Sequence, residues 1–276
     1  MVKLINVIIG KRSNLSEKLS FFIDDVVLIS SGSIVKELDG IDWLKFNEVN
    51  LILNQFQPSS RLNDLSAPID YINNSIVSTA VTLEYFKLNN IKLNKVIYTS
   101  SSSVYGSNES CNESDVINPL SLHSTLKAAN ENLVSKFCQE MNIDYTVARV
   151  FNMYGGGDSF SIVSKIIRTY RDDELLTIVN NGESIRDFIH INDVAHIYKK
   201  ILTKKNFPIV NVASGEGVSV TSLLNVLREN KVILNTHNIS LSEIHTSIAD
   251  NSKLLSILDG YSFKKVSDYI LDHIKL

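Results

Sequence analysis

Val96-Ile97-Tyr98-Thr99-Ser100-Ser101-Ser102-Ser103-Val104-Tyr105-Gly106, followed shortly by Pro119-Leu120-Ser121-Leu122-His123-Ser124-Thr125-Leu126-Lys127, is the stretch that decides the architecture. Its first half opens with β-branched and aromatic residues and closes on serines. That pattern predicts a buried strand that delivers hydroxyl groups at its carboxyl end. In the second half Leu126, Ala129, Leu133 and Phe137 recur at three- and four-residue spacing, which predicts a helix. His123 and Lys127 are four residues apart, so on that helix they share a face.

The same alternation extends outward in both directions. Leu4–Ile9, Val26–Ser30, Asn50–Leu53, Lys95–Thr99, Tyr145–Phe151 and Ile209–Ala213 are short and rich in Val and Ile. They are apolar on both sides of the pleat, as strands covered by helices on both faces are. A second helical stripe is Ile162, Val163, Ile166, Ile167 and Tyr170. Strand and helix in alternation predict an α/β fold, a Rossmann-type doubly wound parallel sheet. Beyond Phe151 the pattern changes. Tyr154-Gly155-Gly156-Gly157 reads as a loop, Leu175–Val179 as extended, and Val220–Leu227 as a helix capped by Ser219. There is no internal repeat.

The chain has 276 residues, enough for one large domain or a domain with a small lobe. A formal net charge of −3 and 21% charged residues imply no broad attraction to nucleic acid or to a membrane surface. Any anionic ligand must be held by local cations. Met1–Ile9 is too short to span a membrane and reads as a strand rather than a signal peptide. The cysteines, Cys111 and Cys138, lack metal-type spacing, so no metal site and a reduced, cytoplasmic protein are expected.

The serine-ended strand and the following helix with a lysine resemble the extended short-chain dehydrogenase/reductase family of nucleotide-sugar epimerases, dehydratases and reductases. The resemblance runs nearly end to end, through Asp250-Asn251-Ser252-Lys253 to the closing Val266–Ile274 helix. It implies a dinucleotide-binding domain of residues 1–153 plus about 186–213. It also implies a substrate lobe of 154–185 plus 214–276. The family has Tyr-x-x-x-Lys; here His123 stands at the tyrosine position.

Three groups of residues carry what the resemblance implies. Gly10-Lys11-Arg12-Ser13-Asn14-Leu15-Ser16 follows the first strand and matches the phosphate loop, with serines at two of the three glycine positions. Gly10, Arg12, Ser13, Asn14 and Leu15 are therefore candidate cofactor contacts, with Ser30 at the end of the second strand. That strand ends Ile29-Ser30-Ser31-Gly32 without the acid that usually accepts from an NAD ribose. Together with Lys11 and Arg12, this favours the 2′-phosphate of NADP(H), with NAD(H) as the other option. The alternative is that Lys11 and Arg12 are solvated surface charges.

Ser101, three residues before Val104-Tyr105-Gly106, matches the family's catalytic serine. It would bond the substrate oxygen. Lys127 would hold the nicotinamide ribose, and His123 would be the general acid or base. A neighbouring ammonium is expected to lower the imidazole pKa. The alternative is a His123 that marks a ligand-binding protein without the usual acid.

Arg149-Val150-Phe151-Asn152-Met153-Tyr154-Gly155 and Gly182-x-x-x-Arg186-Asp187-Phe188-x-His190-x-x-Asp193-Val194 match the family's substrate motifs. They imply that Asn152 and Arg186 contact a nucleotide diphosphate. Asp187 is expected to orient the arginine or cap backbone, and Asp193 to charge a helix N-terminus. His190 is expected to pack and Arg149 to form an internal ion pair.

The function implied is an NADP(H)-dependent enzyme acting on a nucleotide-activated sugar, foremost a 4-keto-6-deoxy sugar reductase. A nucleotide-sugar epimerase is the alternative, or a non-catalytic NADP/nucleotide-sugar-binding member. Family dehydratases carry an Asp-Glu pair where this chain has Ser102 and Ser103, which argues against dehydration. Paired-helix dimers are common in the family, so a homodimer is an expected assembly.

Overall fold

The computed structural model describes residues 3–54 and 66–274. The predicted strands form within one or two residues of expectation: β1 Leu4–Ile9, β2 Val26–Ile29, β3 Glu48–Leu53, β4 Leu93–Ser101, β6 Asp144–Val150 and β10 Ile209–Val212. They make one six-stranded sheet in the order β10-β6-β4-β3-β1-β2. β1 pairs in parallel with β2 and β3, and β3 in parallel with β4. Helices α1 (Asn14–Phe22), α2 (Ile34–Asp39), α4 (Ser78–Leu88), α5 (Leu122–Glu140) and α7 (Ile191–Thr203) connect the strands. Val7 and Ile8, Leu51 and Ile52, and Val96 and Ile97 are all fully buried, so adjacent residues on opposite faces of the pleat are both covered.

The strand order has two consequences. Among the described residues β2 is the edge strand, with β1 alone beside it. The order reverses between β1 and β3, and open α/β sheets bind ligands at the carboxyl ends of strands beside such a switch point. The phosphate-loop sequence lies there.

Two compact units divide the chain. The first runs through Val104 and adds Pro119–Arg149 and Ala195–Val210. The second comprises Tyr105–Asn118, Val150–Val194 and Asn211–Leu276. The segment 186–194, expected with the dinucleotide-binding part, therefore belongs to the second unit. The reason is strand pairing: β9 (Ile185–His190) pairs with β7 (Asn152–Tyr154), β11 (Gly217–Ser219) and β13 (Thr246–Ala249). β5 (Ser110–Cys111) joins the same sheet through β13.

Tyr154, read from sequence as loop, is the last residue of β7, in register with His190. The loop begins at Gly155, whose φ is 94°. A Cβ there would lie 2.7 Å from His190 Nε2, so both backbone and packing demand glycine. Within this unit Tyr154, Val163, Ile166, Leu176, Phe188, Leu223, Leu227 and Ile270 form a core. They come from the sheet, from β8 (Leu176–Val179) and from helices α6 (Ile162–Asp172), α8 (Val220–Glu229) and α10 (Val266–Ile274). Ser219 caps α8 as expected, accepting from the Ser222 amide at 3.1 Å. No helix among the described residues is long and apolar enough to cross a membrane.

Candidate active site

The phosphate loop is built at the end of β1. Gly10 has φ 107°, a conformation natural only to glycine. The amides of Gly10 and Lys11 donate to Ile29 O at 2.9 and 3.0 Å, which stitches the loop to β2. Ser13 occupies the N-cap position of α1 without a side-chain capping bond, and the positive end of that helix dipole follows directly. The two serines at glycine positions share one partner: Asn54, just past β3, donates to Ser13 Oγ at 3.2 Å and to Ser16 Oγ at 2.8 Å. Ser16 and Asn54 are fully buried. Asn54 Oδ1 is a buried acceptor with no hydrogen-bond partner among the described residues. The tight turn, the half-exposed Ser13 and the helix start fit a pyrophosphate. Leu15 is buried beneath the loop, whereas Lys11 and Arg12 are exposed.

The end of β2 differs from its sequence reading. Ser30 has an acid beside it after all. Glu37 reaches back from α2, accepts from the Ser30 amide at 3.1 Å and takes a hydrogen bond from Ser33 Oγ. The Ser33 hydroxyl above all, then the Ser30 amide and the charges of Lys11 and Lys36, hold this carboxyl below its ordinary range against the effect of burial. The sequence signal was Ser33 four residues before Glu37 at a helix start, a pairing that a search at the strand end overlooks.

The catalytic candidates in the first unit come from β4 and α5. Ser121 and Ser124 form a reciprocal capping box, 3.2 and 2.9 Å, that fixes the start of α5. His123 then falls in the first turn and Lys127 one turn later. Lys127 is buried and donates to Thr99 O at 2.7 Å, which brings it to β4 two residues before Ser101. Ser101 ends β4 half-buried, and its Oγ accepts from the Ser103 amide at 3.2 Å and from Ser103 Oγ at 3.0 Å.

Burial lowers the Lys127 pKa to about 7, an effect that Glu131 partly offsets. Burial also takes the His123 pKa down to about 4, with Lys127 as the second cause. The expected downward shift of His123 is present, but desolvation outweighs the neighbouring ammonium. His123 is therefore a neutral imidazole at neutral pH.

Glu131, missed in the sequence, continues the line His123–Lys127 at the same spacing of four. It accepts from Ser100 Oγ at 2.5 Å and pairs with Arg149, Nε at 3.1 Å and Nη2 at 2.8 Å. Arg149 thus forms the internal ion pair expected of it. Both partners are buried. The Tyr98 ring lies 5.2 Å from Lys127 Nζ, but burial pushes its hydroxyl pKa up.

In the second unit, Asn152 and Arg186 lie on adjacent strands. Asn152 Nδ2 donates to Asp187 O at 3.0 Å. Arg186 Nη2 donates to Glu243 Oε2 at 3.0 Å and to Ile244 O at 2.6 Å; its Nη1 donates to Ile185 O and His245 O at 2.9 and 3.2 Å. Nothing in the sequence pattern signals Glu243. Asp187 caps backbone: it accepts from the amides of Ser214, Gly215 and Ala249 and from Ser214 Oγ. His190 is buried between the rings of Tyr154 and Tyr269, centroids 5.2 and 5.0 Å away, a packing residue. Asp193 lies in the first turn of α7 and accepts from Tyr261 OH at 2.7 Å and the Lys264 amide at 3.0 Å.

Nucleotide-sugar enzymes are among the known proteins to which the chain is similar. The chain is 25% identical over 235 residues to a putative UDP-glucose 4-epimerase of Methanocaldococcus jannaschii, spanning 83% of this chain and 73% of that one. It is 29% identical over 210 residues to the GDP-6-deoxy-D-talose 4-dehydrogenase of Aggregatibacter actinomycetemcomitans, 71% and 69% of the two chains. It is 30% identical over 156 residues to a dTDP-D-glucose 4,6-dehydratase of Dictyostelium discoideum, spanning 51% of this chain but only 36% of that enzyme. The fold matches the UDP-N-acetylglucosamine 4-epimerase of Methanobrevibacter ruminantium M1, solved in complex with UDP-N-acetylmuramic acid. That match has a TM-score of 0.80 at 23% identity and covers 100% of this chain and 98% of that one. Residues 13–213, from the start of α1 to just past β10, match the model of the NAD dependent epimerase/dehydratase family. With the glycine turn after β1, the serine-ended β4 and the lysine on α5 all in place, the chain belongs to the NAD dependent epimerase/dehydratase family.

Proposed function

We propose that the protein transfers a hydride at C4 of a nucleotide-activated sugar, acting foremost as a 4-keto-6-deoxy sugar reductase. The observation that carries this reading is the β4–α5 frame, in which Lys127 is tied to Thr99 O beside Ser101 and shares a helix face with His123. The similarity to a 4-dehydrogenase acting on a 6-deoxy sugar nucleotide supports the position and the sugar class. Ser102 and Ser103, where family dehydratases carry an Asp-Glu pair, disfavour elimination.

A nicotinamide dinucleotide held at the phosphate loop would supply the hydride. The chain supplies the proton and the orientation. Ser101 Oγ hydrogen-bonds the oxygen on the reacting carbon. His123, a neutral imidazole, bonds the same oxygen and relays the proton. Lys127, with a pKa of about 7, is the proton source near neutral pH and holds the nicotinamide ribose. The carbon gains a hydride, the oxygen gains a proton, and the ketone becomes an alcohol. Gly10, Ser13, Asn14 and Leu15 form the pyrophosphate cradle. Arg12 and Ser30 flank the adenosine end. Lys11 and Arg12 favour NADP(H) there and Glu37 opposes it.

A second reading, epimerisation at C4, is favoured by the similarity to a putative UDP-glucose 4-epimerase over 83% of the chain. Mixing the protein with reduced dinucleotide and a 4-keto-6-deoxy nucleotide sugar separates the two. A reductase consumes the reduced-nicotinamide absorbance stoichiometrically. An epimerase leaves it unchanged and interconverts UDP-glucose and UDP-galactose. Dinucleotide binding with neither reaction would identify a binding protein.

Asn152 and Arg186 are proposed to hold the nucleotide diphosphate, Arg186 by the planar fork that suits phosphate. To do so it must exchange Glu243 for the ligand. Arg186→Ala should weaken UDP or GDP binding by about tenfold or more, the scale of a charge-assisted hydrogen bond. Glu243→Gln should tighten the same binding by freeing the guanidinium. Calorimetric affinities unchanged in both variants would reject Arg186 as the anchor.

A further inference from the structure

We infer that Glu37 is the residue that reads the adenosine ribose and selects NAD(H) over NADP(H), delivered from helix α2 rather than from the strand end where such an acid is sought. The inference rests on the proposal that a dinucleotide occupies the phosphate loop. Three observations in the first unit support it. The loop and the end of β2 form one stitched surface, because the Gly10 and Lys11 amides both donate to Ile29 O. The Glu37 carboxylate sits on that surface, fixed by the Ser30 amide at 3.1 Å and by Ser33 Oγ. Among the described residues β2 is the edge strand, so no further strand end beyond it there offers another acid.

The chemistry then separates the two cofactors. An ionised carboxylate accepts about four hydrogen bonds, so the two from Ser30 and Ser33 leave capacity for a ribose diol, which donates. A 2′-phosphate cannot donate and brings negative charge against a carboxylate that is fixed in place. Repulsion between like charges in a half-buried setting is costly. Lys11 is near enough to Glu37 to help lower its pKa, so a 2′-phosphate drawn to that cation would also meet the carboxylate. The chain thus carries an NAD-type discriminator in spite of the two cations in its loop.

Titration calorimetry of the full chain with NAD+ and with NADP+ tests this without turnover. Wild type should bind NAD+ about tenfold or more tightly than NADP+, the scale of one charge-assisted contact. Glu37→Gln keeps an acceptor for Ser30 and Ser33 but removes the charge. It should weaken NAD+ and strengthen NADP+, bringing the affinities together. Glu37→Asp keeps the charge and should preserve the preference for NAD+. An unchanged ratio in folded Glu37→Gln, or a wild type that prefers NADP+, would overturn the assignment. Binding of neither dinucleotide to wild type would overturn both this assignment and the cofactor reading beneath it. If NAD+ binds but no sugar nucleotide reacts, only the proposed reaction fails.

Discussion

Lys127→Met should abolish turnover and at the same time stabilise the fold at neutral pH. The loss of activity should reach about a thousandfold, within the usual range for a positioned proton donor, because the side chain also holds the frame between α5 and Thr99. The gain in stability follows from linkage. Lys127 has a folded pKa of about 7 against an ordinary 10.5. Between those values the unfolded chain binds a proton that the folded chain does not. Wild-type stability therefore rises with pH across that window, and the burial penalty is present in full below pH 7. Methionine removes the penalty, less the hydrogen bond to Thr99 O, for a net gain on the order of 3 kcal/mol at or below pH 7. The advantage should vanish above about pH 10.5. Thermal melts of both proteins at pH 6.5 and pH 10.5 check this, and a lower melting temperature for the variant at pH 6.5 would contradict it.

Glu131→Ala should have the largest effect on stability. It removes the carboxylate that pairs with the buried Arg149 guanidinium through Nε and Nη2, and it removes the acceptor of Ser100 Oγ. Breaking a buried ion pair by deleting one partner costs about 3–5 kcal/mol. The double variant Glu131→Leu with Arg149→Met removes both charges and should recover most of the loss. Denaturant unfolding of the set measures the pair directly. Equal destabilisation by the single and the double variants would show that packing at Glu131, rather than its charge, holds α5 to the sheet.

The parts of the fold that sequence patterns predict are those whose burial is apolar. The six strands of the large sheet are apolar on both faces, so periodicity alone locates them. Helix α5 shows where this stops. Its apolar stripe reads Leu126, Ala129, Leu133 and Phe137, yet Ala129 is exposed and Leu133 and Phe137 are only partly buried. The fully covered face carries Lys127, Asn130, Glu131, Val134 and Cys138. Lys127, Asn130 and Glu131 bond there to Thr99 O, Ser75 Oγ and Arg149, partners distant in sequence that no periodic pattern contains. The short strands β5 and β13 are invisible for a similar reason, since Ser110–Cys111 becomes a strand only by pairing with Ile248–Ala249.

The candidate site divides along the same line. Ser101, His123 and Lys127 were legible because a strand end and a helix face order them locally. Glu37 and Asn54 were not. Each enters through a tertiary contact: Asn54 bridges two serines that stand where glycines are usual, and Glu37 reaches from α2 to the Ser30 amide at the end of β2.

Transfer of label from the cofactor to the sugar tests the central proposal most directly. The protein would be incubated with a 4-keto-6-deoxy nucleotide sugar and reduced dinucleotide carrying deuterium at the transferred position of the nicotinamide, and the product read by mass and proton spectra. The account predicts an alcohol with deuterium at C4 in an amount equal to the reduced dinucleotide consumed, with formation slowed about a hundredfold or more in His123→Phe. Product without deuterium at C4, or reduced dinucleotide that stays unconsumed while the 4-keto sugar persists, would contradict it.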